Sequence, residues 1–375
     1  MINFRLDNRF LSLAAITLLL LLAALLRFHL LGAQSLWNDE GSSVVQALRP
    51  FDEIARNAAL DIHPPGYYWL LAGWRLLTGT SEFALRSLSA FASLLSIAFA
   101  YALGKRLFSS GAGLCAALLI CLNSFSIYYA QEARMYALLA LWAAASFWAL
   151  AEFLRRPSLR GALVLALFNA AGLWTQYAFP FVMLAQGMVT LAWLLTARKK
   201  DLRTLGLYVG ANLLTIALYL PWLPTALHQL TSWPNTGDAT ALPDGVSTTL
   251  TWLTFGMSTP SAPLAIPAVL MLFGLLYVKR RMLWQVLIPL AWVVVPVGLF
   301  LALGLFRLDN LKLLLPSQIG LALLIGRGVQ VLWTIQPRYG RRRDFAAKLA
   351  LFVPPATAIL SVAWLVLSAW DGIPP

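Results

Sequence analysis

Two acidic residues follow directly on the first long apolar stretch of the chain. The segment 36–41 reads LWNDEG, so Asp39 and Glu40 stand beside Trp37, a residue type that favours the membrane surface. A carboxylate close to lipid is costly unless it is paired or used, for example to take a proton in catalysis. The alternative is that Asn38 caps a helix and that the two acids only stabilise its positive end.

An acid and a histidine precede a rigid turn further along. Residues 61–68 read DIHPPGYY, in which Asp61 and His63 come before two prolines and two tyrosines. His63 could donate a hydrogen bond to a phosphate or orient a base. The alternative is a surface histidine at the start of a helix, because proline suits a first helical turn.

The clearest local pattern lies at residues 128–136, which read YYAQEARMY. Tyr128, Glu132 and Tyr136 recur every four residues and share one helical face, whereas Arg134 points elsewhere on a regular helix. An arginine beside a lipid headgroup is a good phosphate ligand. Glu132 and Arg134 could instead be an ion pair that anchors the helix at the interface.

A basic cluster, Arg307 with Lys312, lies between two apolar stretches late in the chain. The orientation inferred below places this cluster outside, where positive charge is not expected. An anionic partner explains this exception more economically than chance.

The composition indicates that lipid is the main solvent of this chain. Of 375 residues, 60% are hydrophobic and 11% are charged, and the mean hydropathy is +0.74. Apolar stretches of about 20 residues are long enough to cross a bilayer as helices. A helix suits this environment because it pairs its own backbone groups, and an unpaired backbone group is costly in lipid. The sequence predicts an all-α, polytopic integral membrane protein with eleven spans: 10–31, 84–104, 112–130, 137–154, 161–176, 179–196, 204–223, 263–278, 283–305, 313–333 and 347–369.

Lysines and arginines fall mainly in short segments between these spans, and an N-terminus in the cytoplasm places those segments inside. The net charge of +13 is therefore a topology signal and does not indicate nucleic acid. We expect one domain over residues 1–375, with long outer loops at 32–83 and 224–262. The first should hold juxtamembrane helices near 39–48, 51–60 and 65–78. The two cysteines and the many spans fit a bacterial inner membrane.

The motifs of soluble nucleotide-sugar and zinc enzymes are missing from the sequence. It has no P-loop, no HExxH, and no cysteine or histidine cluster with metal spacing. Acidic residues collect on the outer side, where they could bind Mg²⁺ or Mn²⁺ without a recognisable motif, so a divalent cation is possible.

In these motifs the sequence resembles the GT-C superfamily, specifically the family 39-like glycosyltransferases related to protein O-mannosyltransferases and to the aminoarabinose transferase of lipid A. The matching features are Trp37 with Asp39-Glu40, His63-Pro64-Pro65 with Tyr67-Tyr68, Ser81-Glu82 through Arg86, Glu132 through Tyr136, and Leu314-Leu315-Pro316. Where that family commonly shows Arg-Tyr before Leu-Leu-Pro, this chain has Lys312-Leu313, which keeps a charge but loses the bidentate fork.

The resemblance implies a GT-C fold and an inverting transfer of a sugar from a polyprenyl-phosphate donor to a lipid, glycan or protein acceptor at the extracytoplasmic face. Asp39 and Glu40 would be the catalytic residues, Asp39 as the general base and Glu40 beside it to support the acceptor or the loop. Arg134, Lys312 and His63 would bind the donor phosphate, and the supporting residues would be Asp61, Glu132, Tyr136 and Arg307. Two other classes stay open: a polytopic lipid or solute transporter or flippase, and a structural subunit of an envelope complex.

Overall fold

The structure is a computed structural model that describes residues 8–196, 202–231, 242–257, 264–276, 283–334 and parts of 356–367. All regular structure in these ranges is helical, as expected. The helices are α1 Asn8–Phe28, α2 Asn38–Ala47, α3 Phe51–Ala58, α4 Gly66–Thr78, α5 Glu82–Leu107, α6 Ser110–Leu122, α7 Ser124–Ala130, α8 Tyr136–Arg155, α9 Leu159–Thr175, α10 Phe179–Thr196, α11 Leu202–Tyr219, α12 Leu223–Thr231, α13 Leu242–Thr254, α14 Ala265–Leu276, α15 Leu283–Ala302 and α16 Leu315–Thr334. A 3₁₀ segment, Leu308–Leu314, runs into α16.

Seven helices of the described ranges are long and apolar enough to cross a membrane, or eight if the bent pair α6–α7 forms one span. The chain is thus a multi-span membrane protein, but the predicted count of eleven is not confirmed. Two shorter apolar helices, α9 and α14, coincide with two of the other predicted spans. The predicted span 347–369 falls mainly on residues outside the described ranges.

Helix α8 lies at the centre of the bundle. Of the residues in its apolar segment, 83% are buried, whereas only 11% of those of α1 are buried, so α1 lies at the periphery. Helix α8 packs against α5, α9 and α16. Helices α5 and α6 approach closely at Gly104, where an added Cβ would lie 2.7 Å from the Cα of Gly113.

The span predicted at 112–130 is broken at Asn123. Helices α6 and α7 meet there at 64°. The Asn123 side chain caps α7, accepting from the Ser126 N–H at 3.1 Å, and donates to the Trp252 carbonyl at 3.0 Å. This break directs the residues after α7 back over the end of the bundle, where α2–α4 and the 3₁₀ segment also lie.

Candidate functional site

Glu40 is a fully buried carboxylate that four donors hold in place. Its oxygens accept from Arg86 Nε at 2.8 Å and Arg86 Nη2 at 2.7 Å, which is a bidentate ion pair. The backbone N–H groups of Ala133 and Trp37 donate to it at 2.7 and 3.3 Å. Glu40 therefore fastens the start of α2 to α5 and to the turn before α8.

Asp39 lies on the same turn of α2 but remains accessible, with 34% of its side chain exposed. Its carboxylate Oδ2 is 3.7 Å from Arg134 Nη2. Arg134 Nη1 also donates to the Asp39 carbonyl at 3.1 Å and to Ser43 Oγ at 3.0 Å. These contacts orient an accessible acid against a guanidinium that is only 4% exposed.

Arg134 and Lys312 meet at one aromatic ring. The guanidinium carbon of Arg134 lies 5.9 Å from the centre of the Tyr136 ring, and Lys312 Nζ lies 5.1 Å from it. Tyr136 is buried. The predicted phosphate ligands Arg134 and Lys312, distant in sequence, are thus brought together with Asp39, so positive charge collects beside the accessible acid.

His63 is buried beside the same charges. Its Nδ1 lies 3.7 Å from Asp61 Oδ2, which accepts from the Tyr68 hydroxyl at 3.3 Å. Burial, together with the positive charges of Arg134 and Lys312, lowers the pKa of His63 below its usual range, against the opposing effect of Asp61. The imidazole is therefore neutral at pH 7 and can donate a hydrogen bond without adding charge.

Glu132 lines a cavity of about 380 Å³ at the end of α1. Burial raises its pKa to about 7, and the Glu40 carboxylate adds to the rise, while Tyr128 and the two cations oppose it. Its Oε2 is buried and makes no hydrogen bond within the described ranges. The apolar part of the lining includes Leu26, Leu30 and Ile127, and the polar part consists of His29, Gln34, Trp37, Glu40, Arg86, Tyr128 and Gln131. A long apolar molecule with a polar end would fit such a lining.

Arg307 lies at the start of the 3₁₀ segment with its side chain half-buried. Its supporting role stays a prediction.

Three residues that support this end of the bundle carry no motif with an expected chemical role. Arg86 belongs to the residues that resemble the GT-C superfamily, and a charge within an apolar span is a signal in itself. Arg27 is the second, fully buried where α6 breaks. Its guanidinium donates to the carbonyls of Ile120 and Cys121, both at 3.1 Å, and to Ser93 Oγ at 2.8 Å. It thereby satisfies carbonyls left open at the end of α6.

Gln229 of α12 is the third. Its amide nitrogen donates to the carbonyls of Ala58 and Asp61, and its amide oxygen accepts from the Tyr177 hydroxyl. The Trp222 indole donates to that hydroxyl in turn, at 3.0 Å. This chain of hydrogen bonds holds the backbone before His63. No sequence pattern reveals it, because the partners come from three separate connections.

Within the described part of the chain, no group of three or more His, Cys, Asp or Glu residues could hold a metal ion. The possible Mg²⁺ or Mn²⁺ therefore finds no ready ligand set there, and the site is built from cations and single carboxylates.

The comparisons with known proteins agree with this architecture. Residues 62–224 match the family described as dolichyl-phosphate-mannose-protein mannosyltransferase. No curated protein is significantly similar to the chain in sequence.

Two solved structures share the fold. The oligosaccharyltransferase AglB of Archaeoglobus fulgidus, in complex with an inhibitory peptide and a dolichol-phosphate, gives a TM-score of 0.62 at 12% identity, over 98% of this chain and 57% of that one. ArnT of Cupriavidus metallidurans, bound to undecaprenyl phosphate, gives a TM-score of 0.59 at 15% identity, over 97% of this chain and 75% of that one. The chain thus spans little more than half the length of AglB. The family match and the shared fold agree with the predicted resemblance to the GT-C superfamily.

Proposed function

We propose that this protein transfers a sugar from a polyprenyl-phosphate donor to a hydroxyl acceptor at the extracytoplasmic face of a membrane, with Asp39 as general base. The observation that carries the proposal is the position of the accessible Asp39 carboxylate, 3.7 Å from the buried Arg134 guanidinium. Lys312 approaches the same place across Tyr136. A base and two cations are what a transfer with a phosphate leaving group needs.

In the proposed step, Asp39 takes the proton of the acceptor hydroxyl as its oxygen attacks the anomeric carbon. The bond between that carbon and the phosphate oxygen breaks, and the polyprenyl phosphate leaves with the electron pair. Because attack comes from the side opposite the departing phosphate, the anomeric configuration inverts. The partial exposure of Asp39 lets an acceptor reach it.

Arg134 is suited to the leaving phosphate by its unused donor. Its Nη1 is occupied by Asp39 and Ser43, but its Nε is buried and makes no hydrogen bond within the described ranges. A buried donor without a partner is costly, and a phosphate oxygen would satisfy it. Lys312 would add a second charge, and neutral His63 a hydrogen bond.

Glu40 has a different part in this proposal. Its oxygens are occupied by Arg86 and two backbone N–H groups, so it positions Asp39 and takes no proton itself. The cavity beside Glu132 would receive the start of the polyprenyl chain, because Leu26, Leu30 and Ile127 line it next to the peripheral helix α1. A bacterial inner membrane with the N-terminus inside completes the proposal.

The test is turnover of dolichyl-phosphate-mannose and of undecaprenyl-phosphate sugars by the purified protein. Asp39→Asn should lower the rate by about 10² to 10⁴-fold, the range for loss of a general base. Asp52→Asn is the matched control, since Asp52 is an exposed acid of α3. Equal rates for Asp39→Asn and wild type would contradict the assignment, and so would equal loss in both variants.

A further inference from the structure

A groove of about 580 Å³ runs along the side of α2 that faces away from the buried charges. Asn38, Ser42 and Gln46 recur every four residues on this side and line it. Glu40 and Ser43, on the other side of α2, are buried. Helix α2 therefore separates the groove from Glu40 and Ser43, and the partly exposed Asp39 directly follows Asn38 of the groove lining.

The groove is rich in uncharged hydrogen-bonding groups. Across from α2, Asn57 and Asp61 complete its polar lining. No lysine or arginine lines it in the described part of the chain, so an anionic headgroup would find no counter-charge there. Gln46 lines the groove and its Oε1 makes no hydrogen bond within the described ranges, so this oxygen is not committed to a partner there.

An aromatic side chain, two residues before Asp39 in the sequence, contributes to the groove. Trp37 is 45% exposed and lines both the groove and the cavity beside Glu132. A molecule in the groove and one in the cavity would therefore meet at Trp37, next to Asp39.

We propose that this groove binds a neutral carbohydrate and that a sugar hydroxyl is the acceptor of the transfer, an inference that rests on the proposed function. Sugars present many hydroxyls that both donate and accept, which amides, a serine and a carboxylate can match. Their apolar C–H faces pack on an exposed indole ring such as Trp37. The acceptor hydroxyl gives its proton to Asp39 and its oxygen forms the new bond to the donor sugar.

Saturation-transfer NMR on the full chain in nanodiscs tests the groove without relying on turnover. The probes are maltotriose, mannotriose and cellotriose, with a Ser/Thr peptide and diacylglycerol as the alternative acceptor classes. Ser42→Trp fills the groove from an exposed position, and Asp52→Trp is the matched control on α3. We expect at least one trisaccharide to bind wild type, Asp39→Asn and Asp52→Trp. Ser42→Trp should abolish binding and Gln46→Leu should weaken it about tenfold, as for loss of a buried hydrogen bond.

Absence of trisaccharide binding to wild type, or unchanged binding to Ser42→Trp, would overturn the groove assignment. Binding of the peptide or diacylglycerol that Ser42→Trp abolishes, without trisaccharide binding, would overturn it as well. Failure of the two proposals can be told apart. If trisaccharides bind as expected but Asp39→Asn transfers sugar at the wild-type rate, the proposed base is wrong and the carbohydrate groove remains.

Discussion

The substitution Glu132→Gln tests the electrostatics of the site through its effect on stability. Burial, with the Glu40 charge, raises the pKa of Glu132 from the ordinary 4.5 to about 7. Its protonated form is therefore favoured in the folded protein. Stability from this group is complete below pH 4.5 and is lost as the pH rises through 7. Glutamine, which resembles the protonated acid, should not show this loss.

The pKa difference sets the size of the effect. The interval between 4.5 and about 7 corresponds to about 3 kcal/mol of unfolding free energy above pH 7. At pH 5 the wild type and Glu132→Gln should therefore unfold at nearly the same temperature. At pH 8.5 the variant should unfold several degrees higher, since each kcal/mol is worth a few degrees.

Differential scanning fluorimetry in detergent, from pH 5 to 8.5, measures this difference. Asp52→Asn, which changes an exposed carboxylate with 72% of its side chain accessible, should follow the wild type at every pH. If Glu132→Gln also runs parallel to the wild type across the range, Glu132 ionises normally and the described environment of this acid is incorrect.

Three further substitutions probe the surroundings of Asp39. Arg86→Ala leaves the Glu40 carboxylate buried without its bidentate partner and should lower the free energy of unfolding by about 3–5 kcal/mol. The melting temperature should fall strongly, and Arg86→Lys should restore it only in part. An unchanged melting temperature would contradict the buried pair. Arg134→Gln removes the unused Nε donor and the charge, and should raise the Kd for undecaprenyl phosphate about 10- to 100-fold. Arg56→Gln changes an exposed arginine and is the control. An equal Kd in both variants would show that Arg134 does not bind the phosphate. Gln229→Leu removes the hydrogen bonds to the Ala58 and Asp61 carbonyls. It should lower kcat while the Kd for the donor stays within about twofold, and Thr231→Val on the same helix is the control. A change in Kd alone would argue against a role of Gln229 in positioning the Asp61–His63 turn.

Much of the fold could be read from hydropathy because each span satisfies its own backbone hydrogen bonds. The prediction of 179–196 coincides with α10, and 10–31 and 84–104 fall within a few residues of α1 and α5. The break at Asn123 could not be predicted from hydropathy, because it depends on the side-chain hydrogen bonds of Asn123, one of which reaches Trp252 far along the chain. The predicted number of eleven spans is not confirmed, since α9 and α14 are shorter than the other spans and the length of a helix depends on its packing.

The site shows the same division between local and distant causes. Local patterns identified Asp39 and Arg134, and the structure puts them 3.7 Å apart. That Asp39 is accessible and Glu40 is buried was not predictable from two neighbouring acidic residues. Arg86 on α5 binds the Glu40 carboxylate and keeps it buried, whereas Asp39 has no such partner on α5 and remains accessible. Gln229 stayed invisible because amides occur widely and its three partners lie elsewhere in the sequence.

We propose that a polyprenyl phosphate binds between the Arg134 turn and the 3₁₀ segment that carries Lys312. A photoreactive analogue of undecaprenyl phosphate, cross-linked to the protein in nanodiscs and mapped by mass spectrometry, locates this binding site. We expect adducts in 131–136 and 308–314 that unlabelled undecaprenyl phosphate competes away and Arg134→Gln reduces. Competable adducts confined to the opposite end of the bundle, near Arg9 and Lys105, would contradict it.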